Sequence, residues 1–534
     1  MGRNWSALAF VSSNLKQNLA MAFRLGRDLP PFLQRRLTLE QARTQVRHRL
    51  STREQRFLSS IDRLVYGVAR SPYRHLLAHA GCERGDLHAL VAREGLEGAL
   101  SILAGQGVYV TFDEWKGRRI AERGSARFAF AQHDFDNPYQ RPHLHTYTGG
   151  TGGPPTPVLR TLASVEEGAS ILAVVLDAYG IKRPRNLFLF GGSAIFQVIH
   201  MKLGHPLDAW FLPTESLPAP MMAYHRYLKL LAARGGCHFP LPERHDPPES
   251  VAIARWLVEH RHPGTPMLVN GRTSVAVRVA TAARAMGASL DHVTFHCRSE
   301  PFSAARRRTI VESGAQTLPD YASVELPHLS YGCPTATTPD DMHLSSDRYA
   351  VVEHQRACTD GGPLVDALLF TTLSDRAPKV ALNIELGDSA RVEQRDCDCA
   401  LGTIGLRTHL SEIRSFEKLS AEGTTFSRGA MLRIIEEVLP ARFGGTAIDY
   451  QLVEEEAATG ASLLVLRVDP AVGSFDEAAC REVVLDELGR GNLVDAYQAE
   501  LLRRAASVVV RRLPPLATTG GKVLPLHLLR STTT

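Results

Sequence analysis

The sequence predicts an α/β protein of more than one domain. A large N-terminal domain would combine a helical N-terminal region, doubly wound mixed sheets and a β-rich subdomain, followed by a small α+β C-terminal domain. Three observations carry this. Helical periodicity dominates residues 38 to about 108. Short apolar runs alternate with helical patterns from about 161 to 330. A β-rich stretch after 365 then gives way, from about 417, to a helix, a hairpin and two more helices. At 534 residues the chain exceeds one hydrophobic core and suits about two to four domains.

Taken in order, "LEQARTQVRHRL" and "EGLEGALSILAGQG" supply the helical region, with few breakers. "VEEGASILAVVLDAYG" reads as a helix, "NLFLF" as a strand and "SAIFQVIHMKLG" as a helix. "PMLVNG" and "HVTFHC" read as short strands, each followed by a helical pattern. That alternation implies a largely parallel sheet with helices on both faces. "ALLFTTL" and "KVALNIELGD" read as strands, "RGAMLRIIEEVLP" as a helix, and "DYQLVEEE" with "ASLLVLRVDP" as a hairpin. The expected division is 1–115 for the helical region, 116–412 for the rest of the large domain and 413–534 for the small one. The boundary falls near 412–418. There are no internal repeats.

Composition excludes several classes. The chain is 44% hydrophobic and 22% charged with a formal charge of +5, so clusters such as Arg306-Arg307-Arg308 read as solvated helix faces and no nucleic-acid partner is expected. No apolar run reaches the roughly 18 residues that a membrane span needs. The stretch from Ala7 to Leu25 is broken by Lys16, Gln17 and Asn18 and has no signal-peptide pattern. Eight cysteines are too few for a disulfide scaffold and fit a cytoplasmic location.

The segment 145–157, "HTYTGGTGGPPTP", holds two glycine pairs interleaved with threonines. A Walker loop needs G-x-x-x-x-G-K-[ST], and Gly153 is followed here by Pro154. No strand-turn-helix pattern of a dinucleotide fingerprint surrounds it. Gly191-Gly192-Ser193-Ala194-Ile195 fails the G-x-S-x-G elbow. Two readings stay open on the residues alone: a loop offering N–H groups and hydroxyls to a phosphate chain, or a plain surface loop.

The cysteines raise a second question. Cys397-Asp398-Cys399 puts two thiols on one short loop, and Cys333 and His343 form a pair ten residues apart. Converging, these four would suit tetrahedral zinc. Free cysteines are also common as small buried apolar residues, which suits Cys82, Cys237, Cys297, Cys358 and Cys480.

Together the motifs resemble the adenylate-forming enzymes of the acyl-CoA ligase superfamily, and more closely the phenylacetate–CoA ligase branch and its acyl-protein synthetase relatives. Thr148-Gly149-Gly150-Thr151-Gly152-Gly153 is similar to the family's Ser/Thr/Gly phosphate loop. "SEPFSAARRRTIVESGA", opening with Ser299-Glu300-Pro301, resembles the segment bordering the adenine pocket. Tyr321-Ala322-Ser323-Val324-Glu325 resembles the Tyr-Gly-x-x-Glu motif, implying that Tyr321 stacks on adenine and Glu325 helps hold Mg2+. Asp388 matches the carboxylate that binds both ribose hydroxyls, and Arg414 the arginine before the interdomain hinge. "GTTFSRGAMLRIIEEVLP" resembles the start of the small domain, which the family moves during turnover. Lys522, after Gly520-Gly521, lies where the family keeps its catalytic lysine. Relatives in this branch bind zinc through a Cys and His after the Tyr-x-x-x-Glu motif and a C-x-C after the ribose Asp. The resemblance therefore implies a structural Zn2+ on Cys333, His343, Cys397 and Cys399. It covers most of the chain from about residue 60.

The departures are specific. Gly149, Gly152 and Pro154 stand where the family has two hydroxyl residues and a lysine, and Asn383-Ile384-Glu385-Leu386 precedes Asp388 where arginine and threonine are usual. Phe416-Glu417 replaces the usual acidic hinge pair. The expected activity is ATP-dependent conversion of a carboxylic acid to an acyl-adenylate, then to a thioester of CoA or carrier-protein phosphopantetheine. Self-acylation fits poorly, because Cys480 is the last thiol and the final 54 residues hold none. Amide or N–N bond formation, and a non-catalytic member of the fold that binds a carrier or partner protein, are the alternatives. A homodimer is frequent in the family; the acyl substrate and oligomeric state stay open.

Overall fold

The computed structural model describes residues 15–147, 157–189, 195–212, 219–242, 249–357, 364–415, 420–421, 424–425, 428–457, 459–490, 493–516 and 526–528. Helices α1 (Leu15–Gln34), α2 (Leu39–Ser51), α3 (Arg53–Ile61), α4 (Pro72–His79) and α5 (Arg84–Gly105) form the helical region. Helix α2 starts on a reciprocal cap: Thr38 accepts the Gln41 N–H while the Gln41 side chain accepts that of Thr38. Helix α5 is two helices joined at Gly95, whose φ of 72° only glycine adopts easily. Helix α1 lies ahead of the periodic stretch seen in the sequence, and buries Leu25, Leu29 and Leu33.

Two hairpins follow, β1 (Ala121–Arg123) with β2 (Ala126–Phe128), and β3 (Leu144–Tyr147) with β4 (Pro157–Arg160). The expected alternation then appears as α6 (Leu162–Ala178), β5 (Arg185–Phe188), α7 (Ile195–Lys202), β6 (Leu207–Trp210), α8 (Ala219–Arg234), α9 (Glu249–Glu259), β7 (Met267–Arg272), α10 (Thr273–Ala285), β8 (Val293–Arg298), α11 (Ala304–Val311) and β9 (Gln316–Tyr321). The first five residues of both β7 and β8 are buried, as strands covered on both faces must be. The β-rich part contributes β10 (Ser330–Gly332), β11 (Met342–Leu344), β12 (Tyr349–Ala357), β13 (Leu364–Thr372), β14 (Ile384–Gln394), the short helix α12 (Ala400–Ile404) and β15 (Thr408–Ser415).

All these strands from β5 onward belong to one mixed sheet of eleven, ordered β12-β13-β14-β15-β11-β10-β9-β8-β7-β5-β6. The expected doubly wound mixed sheets and β-rich part are joined in this one sheet. Strand β9 pairs in parallel with β8 and antiparallel with β10, through Ser330↔Tyr321 and Tyr331↔Asp320, and so fuses the two halves. A correction concerns "KVALNIELGD". The strand begins only at Ile384, because Asn383 takes a φ of 52° and turns its amide onto the carbonyls of Leu100 (2.8 Å) and Val108 (3.1 Å). Residues 413–415 complete β15 of the large sheet.

Beyond it, β16 (Ser420–Ala421) pairs with β17 (Thr424–Thr425). Helix α13 (Arg428–Arg433) extends through Ile434–Val438 and Leu439–Phe443. The hairpin β18 (Tyr450–Glu456) and β19 (Ser462–Val468), helices α14 (Glu477–Leu488) and α15 (Leu493–Arg504), and β20 (Val508–Arg512) and β21 (Leu526–Leu528) complete the chain. Four strands ordered β20-β19-β18-β21 bury Leu452, Leu464 and Leu466 with Met431, Ile434 and Val484 in a core of their own. The hairpin tip docks on the large sheet's flank: Arg306 Nε donates to the Gly460 carbonyl at 2.8 Å and Thr309 Oγ1 to that of Thr459 at 2.7 Å. A Cβ at Gly460 would fall 2.7 Å from the Arg306 backbone, so this approach requires glycine.

Candidate functional site

Two clusters sit on the antiparallel half of the sheet. In the first, Cys333 leaves β10, His343 is central in β11, and Cys397 and Cys399 follow β14 just before α12. The donor atoms of all four lie within 4.8 Å of one another. Cys333 Sγ is 3.6 Å from Cys397 Sγ, and Cys399 Sγ is 3.1 Å from His343 Nε2. Tetrahedral zinc with Zn–S near 2.3 Å separates its thiolates by about 3.7 Å. The donor set therefore fits a closed tetrahedral site.

The surroundings prepare it. His343 Nδ1 donates to the Leu406 carbonyl at 2.7 Å, which leaves Nε2 with its lone pair toward the cysteines. Interaction with Cys399 pulls the Cys333 thiol below the usual thiol range, and the same interaction, with burial, pushes Cys399 up. A Cβ on Gly402 would lie 2.0 Å from the Cys397 carbonyl; only glycine lets the C-x-C loop fold back this tightly. The Cys333 N–H bonds the Asp341 carbonyl at 2.9 Å, closing the 333–341 loop.

In the second cluster, β14 is irregular. Its pairing with β13 shifts between Ala367 and Leu369, its pairing with β15 shifts between Ser389 and Arg391, and Gly387 takes a φ of 82°. Such a bulge re-aims the next side chain, and here that is Asp388. Tyr321, ending β9, donates its hydroxyl to Asp388 Oδ2 at 2.8 Å. Burial, then the neighbouring carboxylate, hold that hydroxyl's pKa well above its usual value. The structure thus brings together two predicted nucleotide residues from distant strands.

Past Tyr321 the chain turns tightly. Ser323 N donates to the Leu326 carbonyl at 3.1 Å, and Ser323 Oγ accepts the Leu326 N–H at 2.9 Å, with Ala322 beside it at the start of the turn. Glu325 is thereby turned inward. Its carboxylate pairs with Lys116, which follows the helical turn Phe112–Trp115, and both side chains are 8% exposed. Arg160, the last residue of β4, donates to the Val324 carbonyl and is buried, which lowers its pKa to about 10. This ties the hairpin carrying the 148–153 segment to the Tyr321–Glu325 turn.

Other predicted residues are placed less directly. The Glu300 side chain turns into the interior, bonding Ser274 N (3.0 Å) and Oγ (2.7 Å) and Arg306 Nη1 (3.1 Å). Pro301 lends its carbonyl to the same Arg306 at 2.5 Å, and Ser299 has a φ of 67°. Arg414, on β15 opposite Ser389, donates to Asp340 Oδ2 at 3.1 Å. Thr148, Gly149, Gly150, Thr151, Gly152 and Gly153, the hinge pair Phe416-Glu417, and Lys522 lie outside the described residues. Lys116, Arg160 and Gly402 escape a reading of the sequence.

No protein-family profile and no curated protein matches the chain. Solved structures do. A 2-hydroxyisobutyryl-CoA ligase, in complex with 2-HIB-AMP and CoA in the thioesterification state, aligns over 91% of this chain and 89% of its own at 16% identity, with a TM-score of 0.52. The amide bond synthetase McbA from Marinactinospora thermotolerans covers 75% of this chain and 70% of its own at 13% identity and a TM-score of 0.39. ATP-bound MatB from Rhodopseudomonas palustris covers 82% and 75% at 12% identity and a TM-score of 0.33. At 16% identity the first of these likenesses is one of fold: the chain shares the fold of that CoA ligase.

Proposed function

We propose that the chain activates a carboxylic acid with ATP, releasing pyrophosphate and forming an acyl-adenylate, and then passes the acyl group to a thiol of CoA or of carrier-protein phosphopantetheine. We place it in the phenylacetate–CoA ligase-like branch. The observation that carries the reading is the Tyr321–Asp388 pair, an aromatic residue whose hydroxyl lies 2.8 Å from a carboxylate 67 residues distant in sequence. An adenosine needs both: a flat face for the base and an acceptor that can take two ribose hydroxyls at once.

On this reading Asp388 takes the ribose hydroxyls and Tyr321 lies along the adenine. Ser299, Glu300, Pro301, Ala322 and Ser323 border the base, with Arg414 near the ribose side. Thr148 to Gly153 hold the outer phosphates. Glu325 already binds a cation in Lys116, and its buried carboxylate fits Mg2+, whose contribution is to neutralise polyphosphate charge. The acid's oxygen attacks the α-phosphorus and pyrophosphate leaves, with Lys522 steadying the developing charge. The thiolate then attacks the acyl carbon and AMP leaves. Cys333, His343, Cys397 and Cys399 would hold a structural Zn2+, since four protein donors leave no open position.

ATP–pyrophosphate exchange on the purified protein with its native metal, against pools of aromatic, aliphatic and amino-acid carboxylates, tests the reading. Exchange with at least one pool that is abolished in Asp388→Ala and Lys522→Ala is expected. Absence of ATP binding would overturn it in favour of a protein that keeps the fold for binding alone.

A further inference from the structure

The parallel half of the sheet reverses its order at one place. Strand β5 lies between β6 and β7. Helix α7, which follows β5, packs with Phe188 on one face of the sheet, and α10, which follows β7, packs with Leu187 and Leu189 on the other. Helices that leave adjacent strands toward opposite faces open a crevice at the strands' carboxyl ends, where such sheets bind ligands.

Arg298 ends β8 at that edge, in register with Arg272 at the end of β7. Its guanidinium lies over the ring of Phe196 on α7, 4.2 Å from the centroid, and its side chain is 16% exposed. Among the described residues its one carboxylate partner is Asp320, 2.9 Å from Nε. Asp320 is held from below. His296 Nε2 is 3.0 Å from the same oxygen, His296 Nδ1 is 3.1 Å from Asn270 Oδ1, and Asn270 donates to Asn186 Oδ1 at 3.3 Å. Burial alone would raise the Asp320 carboxyl, but Arg298 and then His296 outweigh it and hold its pKa at about 2. Four strands thus devote a buried polar ladder to fixing one guanidinium. The next residue, Ser299, takes a φ of 67°, a strained backbone of the kind that gathers at ligand clamps. A planar donor fixed along one edge still presents its other N–H groups to an oxygen acceptor.

We propose that Arg298 is a specificity-determining residue that donates hydrogen bonds to an oxygen on the acyl part of the substrate. Acids carrying a second acceptor, a hydroxyl or a second carboxylate, are then activated in preference to apolar acids of the same length. The proposal rests on the carboxylate-activating reading above.

The test is ATP–pyrophosphate exchange with matched sets: propionate against lactate and malonate, valerate against glutarate, benzoate against salicylate and phthalate. In the sets that react, the oxygenated acid should exchange at least about tenfold faster, as a site built to hydrogen-bond a group rejects analogues lacking it. Arg298→Met should bring that ratio near unity, and Arg298→Lys should keep part of it. A wild-type preference for the apolar member, or an unchanged ratio in Arg298→Met, overturns the proposal. If Arg298→Met does not fold, the wild-type ratio and Arg298→Lys decide. Absence of exchange with every acid in these sets and in the broad pools is a different failure, of the activation reading itself, and takes this proposal with it.

Discussion

The cysteine cluster and the Tyr321–Asp388–Glu325 region lie on the same half of the large sheet, yet they are built on opposite rules. At Cys333, His343, Cys397 and Cys399 the donors face one another and converge on a single point. Around the second region each polar group already has a protein partner from another element: Lys116 on Glu325, the Tyr321 hydroxyl on Asp388, Arg160 on Val324. The first arrangement could be completed by one ion and would then be closed. On the proposed function, the second consists of pairs that an incoming nucleotide and its cation would exchange. The 333–341 loop joins them, since it begins at Cys333 and its Asp340 accepts Arg414. On the proposed function, a closed clasp would therefore steady the edge of an exchangeable site.

The largest effect should come from opening the clasp. Purified protein is expected to carry about one zinc per chain, and Cys399→Ser or prolonged chelation to lower Tm by about 5–15 °C, as metal binding to a structural site is folding free energy. Gly402→Ala should do the same with all four ligands retained, because its Cβ would meet the Cys397 carbonyl at 2.0 Å. Metal analysis and calorimetry read both. If Cys399→Ser loses zinc without moving Tm, the contrast between the two clusters disappears.

The next effect should come from the buried pair. Lys116→Met removes the ammonium paired with the buried Glu325 carboxylate, and breaking such a pair costs about 3–5 kcal/mol. Replacing both, Lys116→Met with Glu325→Leu, should recover most of that in denaturant unfolding. Saturating Mg2+ and a non-hydrolysable ATP analogue should narrow the gap between Lys116→Met and wild type. A single substitution that leaves stability unchanged would mean that Lys116 does not stabilise the buried carboxylate and that the two clusters do not differ in this way.

These two residues also show what a sequence can disclose. Elements with uninterrupted local patterns, α6, β7, β8 and the β18–β19 hairpin, are legible because their periodicity lies within the element. The continuity of the eleven-stranded sheet is not, because it depends on Ser330 pairing with Tyr321 and on nothing in either strand's own composition. The cysteines stand out because thiols are few and Cys397-Asp398-Cys399 is compact. Lys116 looks like any lysine after a short helix until Glu325, 209 residues later, is folded onto it. Arg160 likewise needs Val324, 164 residues away. Asn383 reads as a departure from a familiar motif; in the structure it ends a loop by satisfying two backbone carbonyls of the helical region.

Asp388→Asn should leave the fold nearly as stable as wild type, since the side chain is partly exposed on a bulge. It should weaken ATP by about 10- to 100-fold, the worth of charge-assisted hydrogen bonds to two hydroxyls. Titration calorimetry with ATP and with a nucleotide lacking the ribose hydroxyls separates the contributions: the two ligands should differ in wild type and converge in Asp388→Asn.

The smallest effect sharpens the comparison most. Tyr321→Phe removes only the hydroxyl that donates to Asp388 at 2.8 Å. An ordinary hydrogen bond of this kind contributes about 0.5–1.5 kcal/mol net, so the free protein should lose roughly that much stability. Nucleotide binding should respond differently. If the hydroxyl competes with the ribose for Asp388, its removal frees the carboxylate, and ATP affinity should hold or rise within about threefold. If it instead fixes the carboxylate in its binding rotamer, affinity should fall toward that of Asp388→Asn. Because burial and Asp388 both keep the hydroxyl protonated, no titration of Tyr321 should blur the measurement near neutral pH. The first outcome would make Tyr321 a placeholder for the nucleotide, in parallel with Lys116 at Glu325. The second would move Asp388 to the side of the cysteine cluster, as a group locked in place before any ligand arrives.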